Sequence, residues 1–327
     1  MELYIDKENL KSFLKSRDDD DFQDCFRMLK RQLHVVYNMD KAELRNEPVL
    51  SQWINLLNDG RGCSELKDTF LSSLFPIRPI KSNSPRDWDR RKLSSVYLLD
   101  DPDCVKLKNK GCVLLGEKGE EIPILLRLFC GKDYDYHHLY DLQKNFDCWE
   151  RLIIDNQMLP CTDIIVNDRY IFSNDFALVE YNLKGLLLAL TLNVKNRINI
   201  VFFTKNDALQ KFGEQNAHKI IENTIFAQTG VKPNITFVTS NDSAKILHDR
   251  FIITNYRLIR SGDSFLYFNT QGKKITNGGS LDIDSMANYE THVFVDSLLE
   301  KLQSTIDKHP NKDMIIGTKE SKFLKFE

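Results

Sequence analysis

The chain has 327 residues, 42% of them hydrophobic and 28% charged, with 45 basic against 47 acidic side chains. That is enough for one large domain or two to three smaller ones, and it excludes a wholly disordered chain, a collagen and a disulfide-stapled miniprotein. A net charge of −2 excludes a globally basic nucleic-acid coat but leaves room for a local basic patch.

The opening MELYIDKENLKSF shows no basic stretch followed by an apolar one, and the longest apolar run, Gly185 to Leu192, is broken at Thr191 and Asn193. That run is far short of the roughly 18 residues a bilayer span needs. Seven cysteines are scattered without a CxxC pair, a pattern that fits neither a disulfide framework nor a zinc knuckle. The expectation is a cytoplasmic protein with reduced thiols, no membrane contact, no metal and no cofactor.

Residues 1–75 are expected to be helical. Leu10, Phe13 and Leu14 share one face, as do Phe22, Cys25, Phe26, Leu29 and Leu33. The carboxylate run Asp18 to Asp21 precedes the second of these helices, where negative charge complements the helix N-terminus; a metal site is the alternative, disfavoured because consecutive carboxylates diverge. A third helix is expected over Leu50 to Leu57. Residues 76–150 read as a connector followed by a section containing a hairpin. The connector, PIRPIKSNSPRDWDRRK, has prolines and serines that break helix and strand alike and interleaves six basic residues with Trp88, so it is either a solvated linker or a basic segment that tracks a phosphate backbone. Ser95 to Leu99 reads as a strand, and Gly111 to Leu115 with Ile122 to Phe129 as a hairpin around GEKGEE. KDYDYHH (132–138) reads as surface, with a weak metal pattern.

Residues 151–327 alternate strand and helix. TDIIV (162–166), RYIF (169–172), INIVFFT (198–204), NITFVT (234–239), DRFIITN (249–255), YRLIRSG (256–262) and SFLYFN (264–269) read as strands. Leu183 to Val194, Ala208 to Thr229 and Asn288 to Ile306 read as helices. The order implies an α/β domain on a mixed, largely parallel sheet flanked by helices. GGSLDID (278–284) reads as a Gly-rich loop near the other candidate residues. His218, His292 and His309 have no recognisable partner.

The string Leu247 to Phe268 carries the chemistry. His248 precedes a strand, and Arg250, two residues on, leaves the same face of extended chain. Asn255 follows, then Gly262, Asp263 and Ser264. This string, His-x-Arg-x4-Asn and then Gly-Asp-Ser, resembles the H-x-K-x4-D motif of the phospholipase D superfamily. Asp163 to Tyr170 is similar to that fold's first strand, and the elements from about 160 to 307 follow its order. The resemblance implies that His248 is a nucleophile forming a covalent phosphohistidine. It also implies that Arg250 stands in for a lysine as a phosphate clamp. Asn255 stands where an aspartate would be, and Ser264 donates to a phosphate oxygen, with Asp249 or Asp263 as alternative acids. Arg257, Gly262 and Ser264 join Arg250 as expected phosphate-binding residues; Arg257 and Arg260 form either a basic rim or the solvent face of a strand.

A second motif is missing. Asn167-Asp168-Arg169-Tyr170 echoes His248-Asp249-Arg250-Phe251, with asparagine in place of histidine, and reads as a coincidence of strand composition. Catalysis would therefore require a homodimer that brings two copies of His248 together. The leading expectation is a metal-independent phosphodiesterase or nuclease acting on nucleic acid, in a bacterial defence setting by analogy of fold alone. The alternatives are a non-catalytic module binding a phosphodiester ligand, and a structural protein using 1–75 as a surface for a protein partner.

Overall fold

The computed structural model describes residues 1–37, 42, 46–52, 75–76, 90–100, 108, 111–131, 133–152, 159–192, 194–241, 248–276, 278–308 and 314–326. The chain is a mixed α/β protein built on two sheets. The first holds β1 (Glu2–Ile5), β2 (His34–Tyr37), β3 (Phe75–Pro76), β4 (Val96–Leu98) and β5 (Leu114–Gly116) in the order β3-β2-β1-β4-β5, with every neighbouring pair parallel. The helices around it are α1 (Lys7–Lys15), α2 (Phe22–Arg31), α3 (Arg90–Leu93) and α4 (Glu121–Leu126).

The N-terminal region is thus helix and parallel strand together, not helix alone. Its strands are only two to four residues long and wholly apolar or nearly so, so they leave no alternation to read. The helices α1 and α2 form where the apolar spacing places them, and the Asp6 carboxylate caps α1 by accepting from the Asn9 backbone N–H. The expected hairpin is absent: β5 is followed by α4, not by a second strand. Pro123 sits in the first turn of α4, where its missing N–H costs no hydrogen bond. Residues 48–52 are helical; the remainder of that expected helix and almost all of the basic connector lie outside the described residues.

The second sheet holds β6 (His137–Asp141), β7 (Asp163–Asn167), β8 (Asn199–Thr204), β9 (Asn234–Thr239), β10 (Arg250–Ile253), β11 (Arg257–Ser261), β12 (Ser280–Ser285) and β13 (Ile315–Gly317). Its order is β13-β9-β8-β7-β10-β11-β12-β6. Only β7, β8 and β9 run parallel to their neighbours in that group; the other pairings are antiparallel. The expectation of a largely parallel sheet fails here because β10 and β11 are joined by three residues, Thr254 to Tyr256, too few for a parallel crossover. RYIF and SFLYFN are turns and irregular chain, and the Gly-rich GGSLDID becomes β12.

Among the described residues four helices complete this layer: α5 (Phe176–Thr191), α6 (Asn206–Phe212), α7 (Glu214–Thr229) and α8 (Tyr289–Asp307). The expected single helix over 208–229 is broken at Gly213, whose φ of 94° no helical residue adopts. One face of the second sheet packs on α5 and α7 through Phe202, Phe237, Leu183 and Ile221. The other shares a continuous core with the first sheet's helices, in which Val201, Phe251 and Leu258 join Leu10, Phe13 and Leu29. Each such side chain contributes roughly 1.5–3 kcal/mol on burial. No helix of the described residues is long and apolar enough to cross a membrane. The five described cysteines are free, and burial pushes the Cys25 thiol up to about 12.

Candidate functional site

β7 and β10 are antiparallel neighbours, with Asn167 opposite Phe251. The C-terminal end of β7 therefore meets the N-terminal end of β10. The two strings that echo each other in sequence, Asn167-Asp168-Arg169-Tyr170 and His248-Asp249-Arg250, lie side by side, and the Asn167 side-chain amide donates to the Asp249 carbonyl. What reads as a coincidence is a shared edge.

Asp168 is the buried anchor of that edge. Its Oδ1 accepts from the Tyr170 N–H at 2.9 Å, and its Oδ2 accepts from the Ser264 hydroxyl at 2.7 Å and the Phe265 N–H at 2.9 Å. Burial pushes its carboxyl above the usual range; those three donors and the nearby Arg250 charge oppose the shift. Two loops, one after β7 and one after β11, thus hang from one carboxylate.

Above it stand three cations around one ring. The Lys205 ammonium lies 4.7 Å from the Tyr170 ring centroid, the Arg250 guanidinium carbon 5.6 Å and the Arg169 guanidinium carbon 5.9 Å. Each cation follows or begins a strand: Arg169 after β7, Lys205 after β8, Arg250 at the start of β10. Among the described residues none of the three has a carboxylate at salt-bridge distance. Arg169 is 8% exposed, and its Nε, like that of Arg250, is buried without a hydrogen-bond partner. Arg250 spends one donor on the Gly262 carbonyl at 3.3 Å. Like charges gathered about one ring repel one another, more strongly where water is excluded. The ring's negative face offsets part of that, and an anion would offset the rest.

The residues expected from the motif separate. Arg250 belongs to the edge, and Gly262 contributes a carbonyl to it. His248 is exposed at its lip and makes no hydrogen bond among the described residues, so nothing there aims its ring. Asp249 is exposed beside it. Ser264 has one hydroxyl proton and gives it to Asp168, leaving none for a phosphate oxygen. Asp263 accepts from the Ser264 N–H and the Thr276 hydroxyl.

Asn255 is not at this edge. It is fully buried beyond the far end of β10, where its Oδ1 accepts from the Thr162 N–H at 2.9 Å and its amide donates to the Leu93 carbonyl at 2.8 Å. Arg257 is not a phosphate ligand either. Its guanidinium is buried and donates to the carbonyls of Arg127, Leu128 and Phe129, each at 2.8 Å, and to the Ser285 hydroxyl at 3.1 Å. Between them, the Tyr256 hydroxyl donates to the Ser95 carbonyl and accepts from the Leu114 N–H. Together, Asn255, Tyr256 and Arg257 form a clasp that ties the β10–β11 turn to the first sheet. Arg260 is paired with Asp284, which also holds His137. His218 and His292 face Glu222 and Asp296 on their own helices, and His309 lies outside the described residues.

Arg169, Tyr170 and Lys205 are site residues the motif does not contain. Two signals point to them: Lys205 directly follows a buried parallel strand, and Arg169 repeats the position of Arg250 in the echo. Ligand groups gather at such C-terminal strand ends in α/β sheets. Among the described residues no cluster of His, Cys, Asp and Glu is suited to a metal ion.

No protein-family description matches the chain, and no curated protein matches it. Among solved structures it is similar to TrmBL2, an archaeal chromatin protein whose structure shows a novel mode of DNA binding, at 11% identity over 89% of this chain and 97% of that one. The TM-score of that similarity is 0.26, too low to bear on fold or function.

Proposed function

We propose that the protein binds a phosphorylated ligand, nucleic acid by class, at the edge where Arg169, Lys205 and Arg250 surround Tyr170. One observation carries the reading: three cations share a single ring with no carboxylate partner among the described residues. Clustered positive charge outside any ion pair is what an anion site needs before its ligand arrives. The resemblance to the phospholipase D superfamily supports it through Arg250, the position of its phosphate-clamping lysine, while Asn255 and Ser264 are engaged in holding the fold. The reading is therefore recognition in place of turnover.

The test is titration of a fluorescent single-stranded oligonucleotide with the full chain. Arg250→Gln and Lys205→Gln should each weaken binding about tenfold or more, the loss of one charged hydrogen bond. Arg260→Gln, whose partner is Asp284, should leave it unchanged. Equal affinities for all four proteins would end the reading.

A second reading keeps His248 as the nucleophile of a homodimeric nuclease in a defence system. The exposure of His248 and the lack of a hydrogen bond to it among the described residues favour it, because a second copy could then supply both the aiming group and the second imidazole. It requires cleavage that survives chelator and disappears in His248→Ala.

A further inference from the structure

We infer that this edge selects a phosphate carrying two negative charges, the terminal monoester of a nucleic-acid end or of a small phosphate, over the singly charged diester of a continuous backbone. The inference rests on the phosphate-binding reading and names its ligand. Arg169, Lys205 and Arg250 bring three positive charges within 6 Å of one ring centroid, and the neighbouring Asp168 accepts from three donors of its own. A monoester carries close to two charges at neutral pH, whereas a diester carries one.

Geometry favours the same ligand. A groove that follows a backbone spreads its cations along a line and leaves aromatic faces open for bases to stack on. Here the cations gather within 6 Å of one ring centroid, and the ring they crowd is half-buried. The donors come from three chain segments, after β7, after β8 and at the start of β10. Such a cluster suits the three non-bridging oxygens of a terminal phosphate. A diester has only two non-bridging oxygens and two ester arms that would need exits.

The experiment compares one single-stranded oligonucleotide phosphorylated at either terminus with the same oligonucleotide bearing hydroxyl termini, using the full chain and fluorescence anisotropy. Adenosine monophosphate and adenosine serve as competitors. The expected result is at least tenfold tighter binding of one phosphorylated form, with the advantage lost in Lys205→Gln and Arg250→Gln and partly kept in Arg250→Lys. Competition by the monophosphate at a concentration similar to the oligonucleotide's own affinity would assign the site to a small phosphate with the same dianion chemistry. Equal binding of phosphorylated and hydroxyl forms, both weakened by the variants, overturns the inference and leaves the phosphate-binding reading standing. Binding that the variants do not change, or no binding at all, overturns both. Lys205 is half-buried at the start of a short helix, and a melting curve matching the parent protein separates lost binding from lost fold.

Discussion

Asp163 and Asp168 stand at opposite ends of β7, and burial raises the pKa of each. Asp163 is raised to about 6, although the Lys322 N–H, the Ser321 hydroxyl and the Asn199 amide donate to its Oδ1. Its Oδ2 is buried without a partner. A folded pKa above the unfolded value means that the protonated form favours folding. The contribution is fully present below the unfolded value and is lost as pH rises through 6. Asp163→Asn removes this titration. The stability of the parent relative to the variant should therefore fall by roughly 2–3 kcal/mol between about pH 4 and about pH 7. Urea unfolding of both proteins across that range measures it; a constant difference would show an ordinary carboxylate.

At the scale of elements, the β10–β11 unit has two ends with different tasks. Arg250 at one end faces the cationic edge, and Asn255 to Arg257 at the other hold the first sheet. Arg257→Met should cost roughly 2–5 kcal/mol, because the Arg127 and Phe129 carbonyls lose their donor, while the Leu128 carbonyl keeps the Ser285 hydroxyl. Asn255→Ala should cost about 1–3 kcal/mol. Thermal melts read both losses, and the affinity of the folded protein for an oligonucleotide should not change. A large loss of affinity in Asn255→Ala without a loss of stability would return that residue to the site. The sequence made Arg250 legible because its spacing from His248 is local. It hid the role of Asn255, because a motif spacing does not say that the strand ends after four residues and turns into another layer. Lys205 and Arg169 were hidden for a related reason: they lie on separate connections, 36 positions apart in numbering, and only the sheet order unites them. β7, β8 and β9 were legible as continuous apolar runs and β4 and β5 as short ones, whereas β1, β2 and β3 of the first sheet were not.

For the whole molecule, the clasp and the continuous core make one cooperative body from two sheets. The full chain should unfold in a single transition by calorimetry and by circular dichroism. Residues 151–327 expressed alone should fail to fold, since Tyr256, Asn255 and Arg257 would lose the partners supplied by Leu93, Ser95, Leu114 and residues 127–129. Two separated transitions, or a folded fragment, would show that the division near residue 150 is a true domain boundary.

The short outermost strands limit how copies of this chain can join. In the described residues the larger sheet ends on three-residue β13 and five-residue β6, and the smaller on three-residue β5 and on two-residue β3, which closes with Pro76. Margins this brief offer few free amide groups for a neighbouring molecule to zip onto. Self-association would therefore have to proceed through helix faces and loops, which keeps runaway stacking into fibres in check.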